Sequence, residues 1–244
     1  MGYDFNSDAA TIKDNLSCAH IGSDVLFLSE TTSTNNIAKS YLLNGAGEGL
    51  VVVAKSQTEG RGRAGSTWYS QPETGIYLSV LLKPYLKSDH LPFFTILAGV
   101  SAVTTINKFS QQRANLKWPN DIIINGKKVC GLLCELAQSL GKPKGLIIGI
   151  GINANHLTSQ FPESLRNIAT SLRLVNGSPI ERLAVIRSLL INLEREYQTF
   201  LTEGTRSIIN KWRLNTDMFG KKVSISQGSK TVIGTAINLN DAGQ

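Results

Sequence analysis

Three cysteines are too few to staple a chain of 244 residues, and an odd number leaves one unpaired, so a disulfide scaffold is excluded. Long hydrophobic runs are missing too. The longest apolar stretches, such as Leu146 to Ile152, fall far short of the roughly 20 residues that span a bilayer. The N-terminus carries Asp4 and Asp8 and no apolar segment of signal-peptide type, so no secretory leader is expected. Histidine is scarce: His20, His90 and His156 stand alone and match no triad or metal spacing. There is no G-x-S-x-G elbow, no Cys/His signature and no G-x₄-G-K-[ST] loop, so covalent nucleophilic catalysis has no obvious carrier. What remains is an ordinary globular composition, 41% hydrophobic and 18% charged, enough for one large domain or one large and one small. A reduced, cytoplasmic enzyme or binding protein is the expectation.

Acidic residues are the minority, 18 against 25 lysines and arginines, for a net charge of +7. The excess is local. Between Val51 and Lys128 ten basic residues face four acids, a net +6, and the rest of the chain contributes +1. A local basic field suits an anionic ligand, although Lys87, Lys108 and Arg113 read as plain solvated surface. Nothing in the segment resembles a recognition helix or paired strand aromatics, so nucleic acid is a weak candidate.

Residues 1–24 read as a loose lead-in with a short helix near Ile12–Leu16, and Val25–Leu28 as a strand. Capping residues Thr31 to Asn35 precede an amphipathic helix that ends near Gly45. Residues 50–54 form a buried strand, 56–75 are too rich in Gly, Ser and Thr to be regular, 76–82 are a strand, and Leu91 to about Phe109 a long helix. Ile122 to Ile124, Asn125-Gly126 and Val129 to Leu136 predict a hairpin with a type I′ turn. Gly145–Ile152 is a further strand, 154–178 are irregular, and Ile180–Leu201 and Thr205–Arg213 are helices. After Phe219-Gly220 the period becomes two, with Val223–Ser226, a turn at Gln227-Gly228, and Thr231–Leu239. The domain division that follows is a lead-in over 1–24, a main domain over 25–217 and a small unit over 218–244.

Gly60-Arg61-Gly62-Arg63-Ala64-Gly65 matches G-x-G-x-x-G literally, yet Ser66 to Pro72 follow and do not open a helix, so a dinucleotide fold is rejected. Left over is a glycine loop whose backbone N–H groups and two guanidinium forks can meet phosphate or carboxylate oxygens. In Lys117-Trp118-Pro119-Asn120-Asp121 the proline holds Trp118 extended, so Asn120 and Asp121 emerge at a set angle. Asp121 is a candidate for orienting a base, pairing with arginine, holding Mg²⁺ or capping a turn. Lys127 and Lys128 alternate across a strand; Lys128 shares a face with Cys130 and Leu132, Lys127 with Val129 and Gly131, and period two does not choose between them. Gly149 and Gly151, before Ile152 and Asn153, suit close approach of a ligand or plain tight packing. Cys130 and Cys134 lack a second Cys/His cluster and read as core.

Taken together, Ser33-Thr34-Asn35, Gln57 with the glycine–arginine loop and Trp68, the Lys117–Asp121 segment with Lys128 and Gly131, and Gly149 to Asn153 resemble biotin–protein ligases, in family order from about Phe27 onward. The resemblance implies an α/β (α+β) fold, a class II aminoacyl-tRNA synthetase-like catalytic domain with a mixed sheet and flanking helices, plus a partial SH3-like small β-barrel. It implies that biotin and MgATP give biotinyl-5′-AMP and pyrophosphate, and that a lysine of a biotin carboxyl carrier protein then takes the acyl group. No tightly bound prosthetic group follows from it. It makes Lys128, Arg63 and Arg61 the catalytic set. Ser33, Thr34, Asn35, Gln57, Arg61, Gly62, Arg63, Lys128, Gly131 and Leu133 would bind biotin. Trp68, Asn120, Asp121 and Asn153 would serve ATP, with Asp121 also the magnesium candidate. It further implies ordering of residues 60–70 on binding.

This chain departs from the family pattern in three places. Ala64 stands where many relatives have a basic residue after the second arginine, and Ser66 follows Gly65, so the loop is less cationic. Only 32 residues precede Ser33, too few for the winged helix of repressor relatives, so DNA is not an expected partner; the short apolar runs make a membrane equally unexpected, and a homodimer is compatible with the pattern. The small barrel is short of strands by Gln244. The alternatives are a lipoate or octanoate–protein ligase of the same fold and a non-catalytic biotin-binding protein.

Overall fold

The computed structural model describes residues 5–14, 16–84, 91–227 and 230–244. Lys87, His90 and the Gly228 turn position lie outside them. The chain runs α1 (Phe5–Lys13), β1 (Asp24–Thr31), α2 (Thr34–Leu43), β2 (Leu50–Gln57), β3 (Gly75–Leu82), α3 (Leu91–Phe109), β4 (Asn115–Lys117), β5 (Asp121–Ile124), β6 (Lys127–Ser139), β7 (Lys142–Asn153), α4 (Leu172–Asn176), α5 (Arg182–Glu203), α6 (Thr205–Leu214), β8 (Lys222–Gln227) and β9 (Lys230–Thr235).

Seven strands form one mixed sheet in the order β1-β2-β3-β7-β6-β5-β4. β1 and β2 are parallel, joined through α2, and the remaining pairs are antiparallel. Alternation along the strands divides the core. Ile76, Leu78, Val80 and Leu82 of β3 and Leu146, Ile148, Ile150 and Ile152 of β7 point to the face covered by α3, α5 and α6. Leu81 and Ile147 point the other way, toward Ala38 and Leu42 of α2. The helix α2 covers only part of that second face, and the remainder is open for a ligand.

Most expected elements appear where the pattern places them, and the differences have local causes. The first helix lies earlier than expected, because fully buried Ile12 sits in its last turn. The expected irregular stretch 154–178 contains α4, which Ser171 caps by accepting from Leu174 N at 3.1 Å and which Gly177 ends at φ 75°. The peptide between Trp118 and Pro119 is cis and joins β4 to β5. Helix α3 is, by length and composition, apolar enough to cross a membrane, but 67% of its most apolar 18-residue stretch is buried inside the protein. At the C-terminal end, β8 and β9 form a two-stranded sheet of their own. The chain then returns to the main body, where Leu239 is buried and its carbonyl accepts from Arg213 Nε at 3.0 Å.

Candidate functional site

The open part of the second sheet face carries a cavity of about 240 Å³. Its floor is glycine because two side chains, those of Asn35 and Trp68, lie directly on the strands. A Cβ on Gly149 would fall 2.3 Å from Asn35 Oδ1, and one on Gly151 only 2.4 Å from Trp68 Cε2. One on Gly131 would meet Trp68 Cζ3 at 2.7 Å. Close approach, not backbone conformation, sets these positions.

Over β2 and β3 the cavity is lined by uncharged polar groups that order one another. Thr34 donates to Gln57 Oε1 from its backbone N at 2.8 Å and from its hydroxyl at 3.2 Å. Gln57 Nε2 donates to Ser70 Oγ at 2.9 Å. Ser79, fully buried, bridges Thr34 Oγ1 at 2.7 Å and Asn35 Oδ1 at 2.6 Å. Asn35 Nδ2 then donates to Glu135 Oε2 at 2.7 Å. These contacts hold each donor and acceptor in one orientation before any ligand arrives, which lowers the entropic cost of binding.

Toward β5 and β6 the lining is cationic. Lys128 Nζ lies 2.6 Å from Asp121 Oδ1 and 5.2 Å from the centre of the Trp68 ring. Its position comes from a bulge: Ile122 pairs with Cys130, but Ile123 pairs with Lys128, so Val129 is the extra residue. Val129 and Cys130 are both buried, and Lys128 therefore joins the face of Gly131 and Leu133. The simple alternation that grouped Lys128 with Cys130 and Leu132 is corrected by that one inserted residue. The Lys128 backbone is fixed on both sides, donating to Ile168 O at 2.8 Å and accepting from Thr170 N at 2.9 Å.

The glycine–arginine loop is more ordered than its composition suggests. Gly62 N donates to Ser66 O at 2.7 Å and Trp68 N to Gly60 O at 2.8 Å. Ala64 and Gly65, with φ of 52° and 77°, form the tip. Arg61 Nη2 pairs with Glu135 Oε2 at 2.7 Å. Arg63 has no ion-pair or hydrogen-bonding partner for its guanidinium among the described residues, so it is available to an anion.

Ser33, Thr34, Asn35, Gln57, Arg61, Gly62, Arg63, Trp68, Asn120, Asp121, Lys128, Gly131 and Leu133 all line this one cavity. Asn153 does not. It is buried, and its Nδ2 donates to the Lys128 carbonyl at 3.4 Å. Sequence reasoning missed Ser79 and Glu135. Each is a lone polar residue within an apolar strand run, and a buried polar group needs a partner, so that interruption was the available signal. Asp121 is the one carboxylate among the described residues lining the cavity, and no group of three potential metal ligands occurs among them. Neither neighbouring thiol is a ready nucleophile: burial pushes Cys134 up to about 12 and Cys130 higher still. The site thus offers positioning and positive charge, without a covalent carrier.

Residues 27–153 match the Biotin/lipoate A/B protein ligase family. The chain is 35% identical to the Bifunctional ligase/repressor BirA of Bacillus spizizenii, over 95% of this chain and 71% of that protein. It is 28% identical to the Biotin--[acetyl-CoA-carboxylase] ligase of Mycobacterium tuberculosis, over 97% of this chain and 88% of the relative. Among solved structures, the biotin protein ligase from Aquifex aeolicus in complex with biotin and ATP superposes with a TM-score of 0.80 at 29% identity, covering 91% of this chain and 90% of the other.

Proposed function

This chain belongs to the biotin/lipoate A/B protein ligase family, and from that premise we propose how its cavity performs the family's chemistry. The protein is a biotin–protein ligase: it activates biotin with ATP and transfers it to a biotin-carrier protein. Our reading of the site is as follows. Ser33, Thr34, Asn35 and Gln57 bind the polar ureido ring of biotin, while Gly131, Leu133 and the Trp68 ring wall its apolar part. Arg61 and Gly62 close over it, and Arg63 and Lys128 meet the carboxylate and the α-phosphate. Asn120 and Asp121 face the nucleotide, with Trp68 packing at the junction. Asn153 works from behind, through the Lys128 backbone.

In the first step a biotin carboxylate oxygen attacks the α-phosphorus and pyrophosphate leaves, giving the acyl adenylate. In the second, the amine of an acceptor lysine attacks the acyl carbon and AMP leaves. Neither step needs an enzyme nucleophile. Both need aligned reactants and neutralised charge, which fixed cations supply without reorganisation. Magnesium enters with ATP as part of the substrate; Asp121 would have to release Lys128 to ligate it, so we assign Asp121 to orienting that lysine. We also read the main sheet as class II synthetase-like, β8–β9 as part of an SH3-like unit, and the cytoplasm as the site of reaction.

The observation that carries this reading is the convergence of the polar Thr34–Gln57 pair and the cations Arg61, Arg63 and Lys128 on one cavity. Biotin-dependent ATP–pyrophosphate exchange tests it, with lipoate as the parallel acid. Exchange with biotin and not lipoate is expected. Exchange with lipoate alone would reassign the acid, and biotin binding without exchange would leave only a binding protein.

A further inference from the structure

One carboxylate oxygen, Glu135 Oε2, receives two donors from opposite sides of the cavity. Asn35 Nδ2 reaches it from the floor at 2.7 Å, and Arg61 Nη2 reaches it from the loop at 2.7 Å. The floor side does not stop there. Asn35 continues through Ser79 to Thr34 and Gln57, and Gln57 continues through Ser70 Oγ to the carbonyl of Trp68, at 2.9 and 3.1 Å. A single hydrogen-bonded path therefore leaves the loop at Arg61, crosses the ligand-facing floor, and re-enters the loop at Trp68. The geometry depends on Gly149, since a Cβ there would occupy the place of Asn35 Oδ1.

We propose that Glu135 is a positioning residue that latches the 60–68 loop over the cavity and, through Asn35, ties loop closure to the groups at the ureido end. An Arg–Glu pair that is 39% and 32% exposed would ordinarily do little by itself. Sharing the oxygen with Asn35 makes it different, because opening the loop leaves a floor amide facing a carboxylate that has lost its counter-charge. In the ligase cycle the latch slows escape of the acyl adenylate; that consequence rests on the ligase reading, and the latch itself does not.

Cys134, next to Glu135 on β6, provides a reporter that does not need activity. It lines a second cavity between the loop and Thr95 of α3, beneath Arg61 to Thr67. In the full chain, maleimide labelling of Cys134, localised by mass spectrometry, is expected to speed up about tenfold in Glu135→Ala and equally in Arg61→Ala, with no further gain in the double variant. Glu135→Gln, which keeps an acceptor but not the charge, falls between. Cys18, outside both cavities, should label at the wild-type rate in all four. Wild-type labelling of Cys134 in the single variants, or effects that multiply in the double, would overturn the latch. For the adenylate, Glu135→Ala is expected to raise its dissociation rate about tenfold while single-turnover formation stays within about twofold. Slowed formation with unchanged dissociation would place Glu135 in the chemistry instead. A wild-type chain that makes no adenylate would count against the ligase reading and leave the labelling result to decide the latch.

Discussion

Lys128 owes its place in the cavity lining to Val129. Strict alternation would put the lysine on the face of Cys130 and Leu132, against the helices, but the extra residue in β6 turns it onto the face of Gly131 and Leu133. A bulge depends on the partner strand, so no property of residues 127–134 alone announces it; the resemblance to a family, not periodicity, pointed to Lys128. Once there, the ammonium is held by Asp121 at 2.6 Å and by the Trp68 face. On the proposed reading, its charge is thus held where negative charge would develop on the α-phosphate. Lys128→Ala is expected to lower the single-turnover rate of adenylate formation by about 10²–10³-fold, while biotin still binds within a few-fold of the wild type. Rapid-quench kinetics alongside equilibrium binding separates the two quantities, and an unchanged adenylation rate would remove Lys128 from the chemistry.

The elements divide by how local their determinants are. Helix α3 could be read to its last residue, because its apolar content and its Leu91 start are local. The Asn125-Gly126 turn could be read for the same reason, and both residues take positive φ, 50° and 77°. The loop over 60–68 could be recognised as functional but its order could not be read, because besides its local bonds it pairs Arg61 with Glu135, 74 residues further on. The expected partial barrel appears among the described residues as the β8–β9 pair alone. Period-two alternation identified β8 and β9, but alternation says nothing about how many strands assemble, and β9 is exposed along its whole length. Two strands without a buried face are marginal, whereas β3 is buried at every position, with β2 and β7 largely so. Amides of residues 222–227 and 230–235 should therefore exchange orders of magnitude faster than those of β2, β3 and β7 in hydrogen-exchange mass spectrometry. Equal protection in the two regions would show that the pair is covered in solution.

On the scale of the whole molecule, a buried histidine outside the site contributes to how stability responds to mild acid. His156 is fully buried and neither ring nitrogen has a hydrogen-bonding partner among the described residues. Its ring stacks on Phe161 with centroids 4.9 Å apart and 15° between planes. Burial without a partner penalises the imidazolium and lowers its pKa from 6.5 to about 4. An unfolded chain takes up that proton near 6.5 and the folded one does not until about 4, so the folded state is at no disadvantage above 6.5 and loses ground as pH falls through this window. The loss approaches roughly 3 kcal/mol by the lower end. The carboxylates act further down. In Glu73, burial raises the pKa but Lys55 and Arg182 outweigh it; in Glu194, hydrogen bonds from Ile21, His20 and Gln198 do the same. Both are held below the ordinary carboxylate range, so their stabilisation is intact above about 4.5 and is lost only beneath it. Urea unfolding at pH 7.5 and pH 5 should therefore show a clear drop in midpoint for the wild type and a much smaller one for His156→Phe, which keeps the stack on Phe161 and removes the titration. An equal drop in both proteins would mean that the acid sensitivity arises elsewhere in the fold.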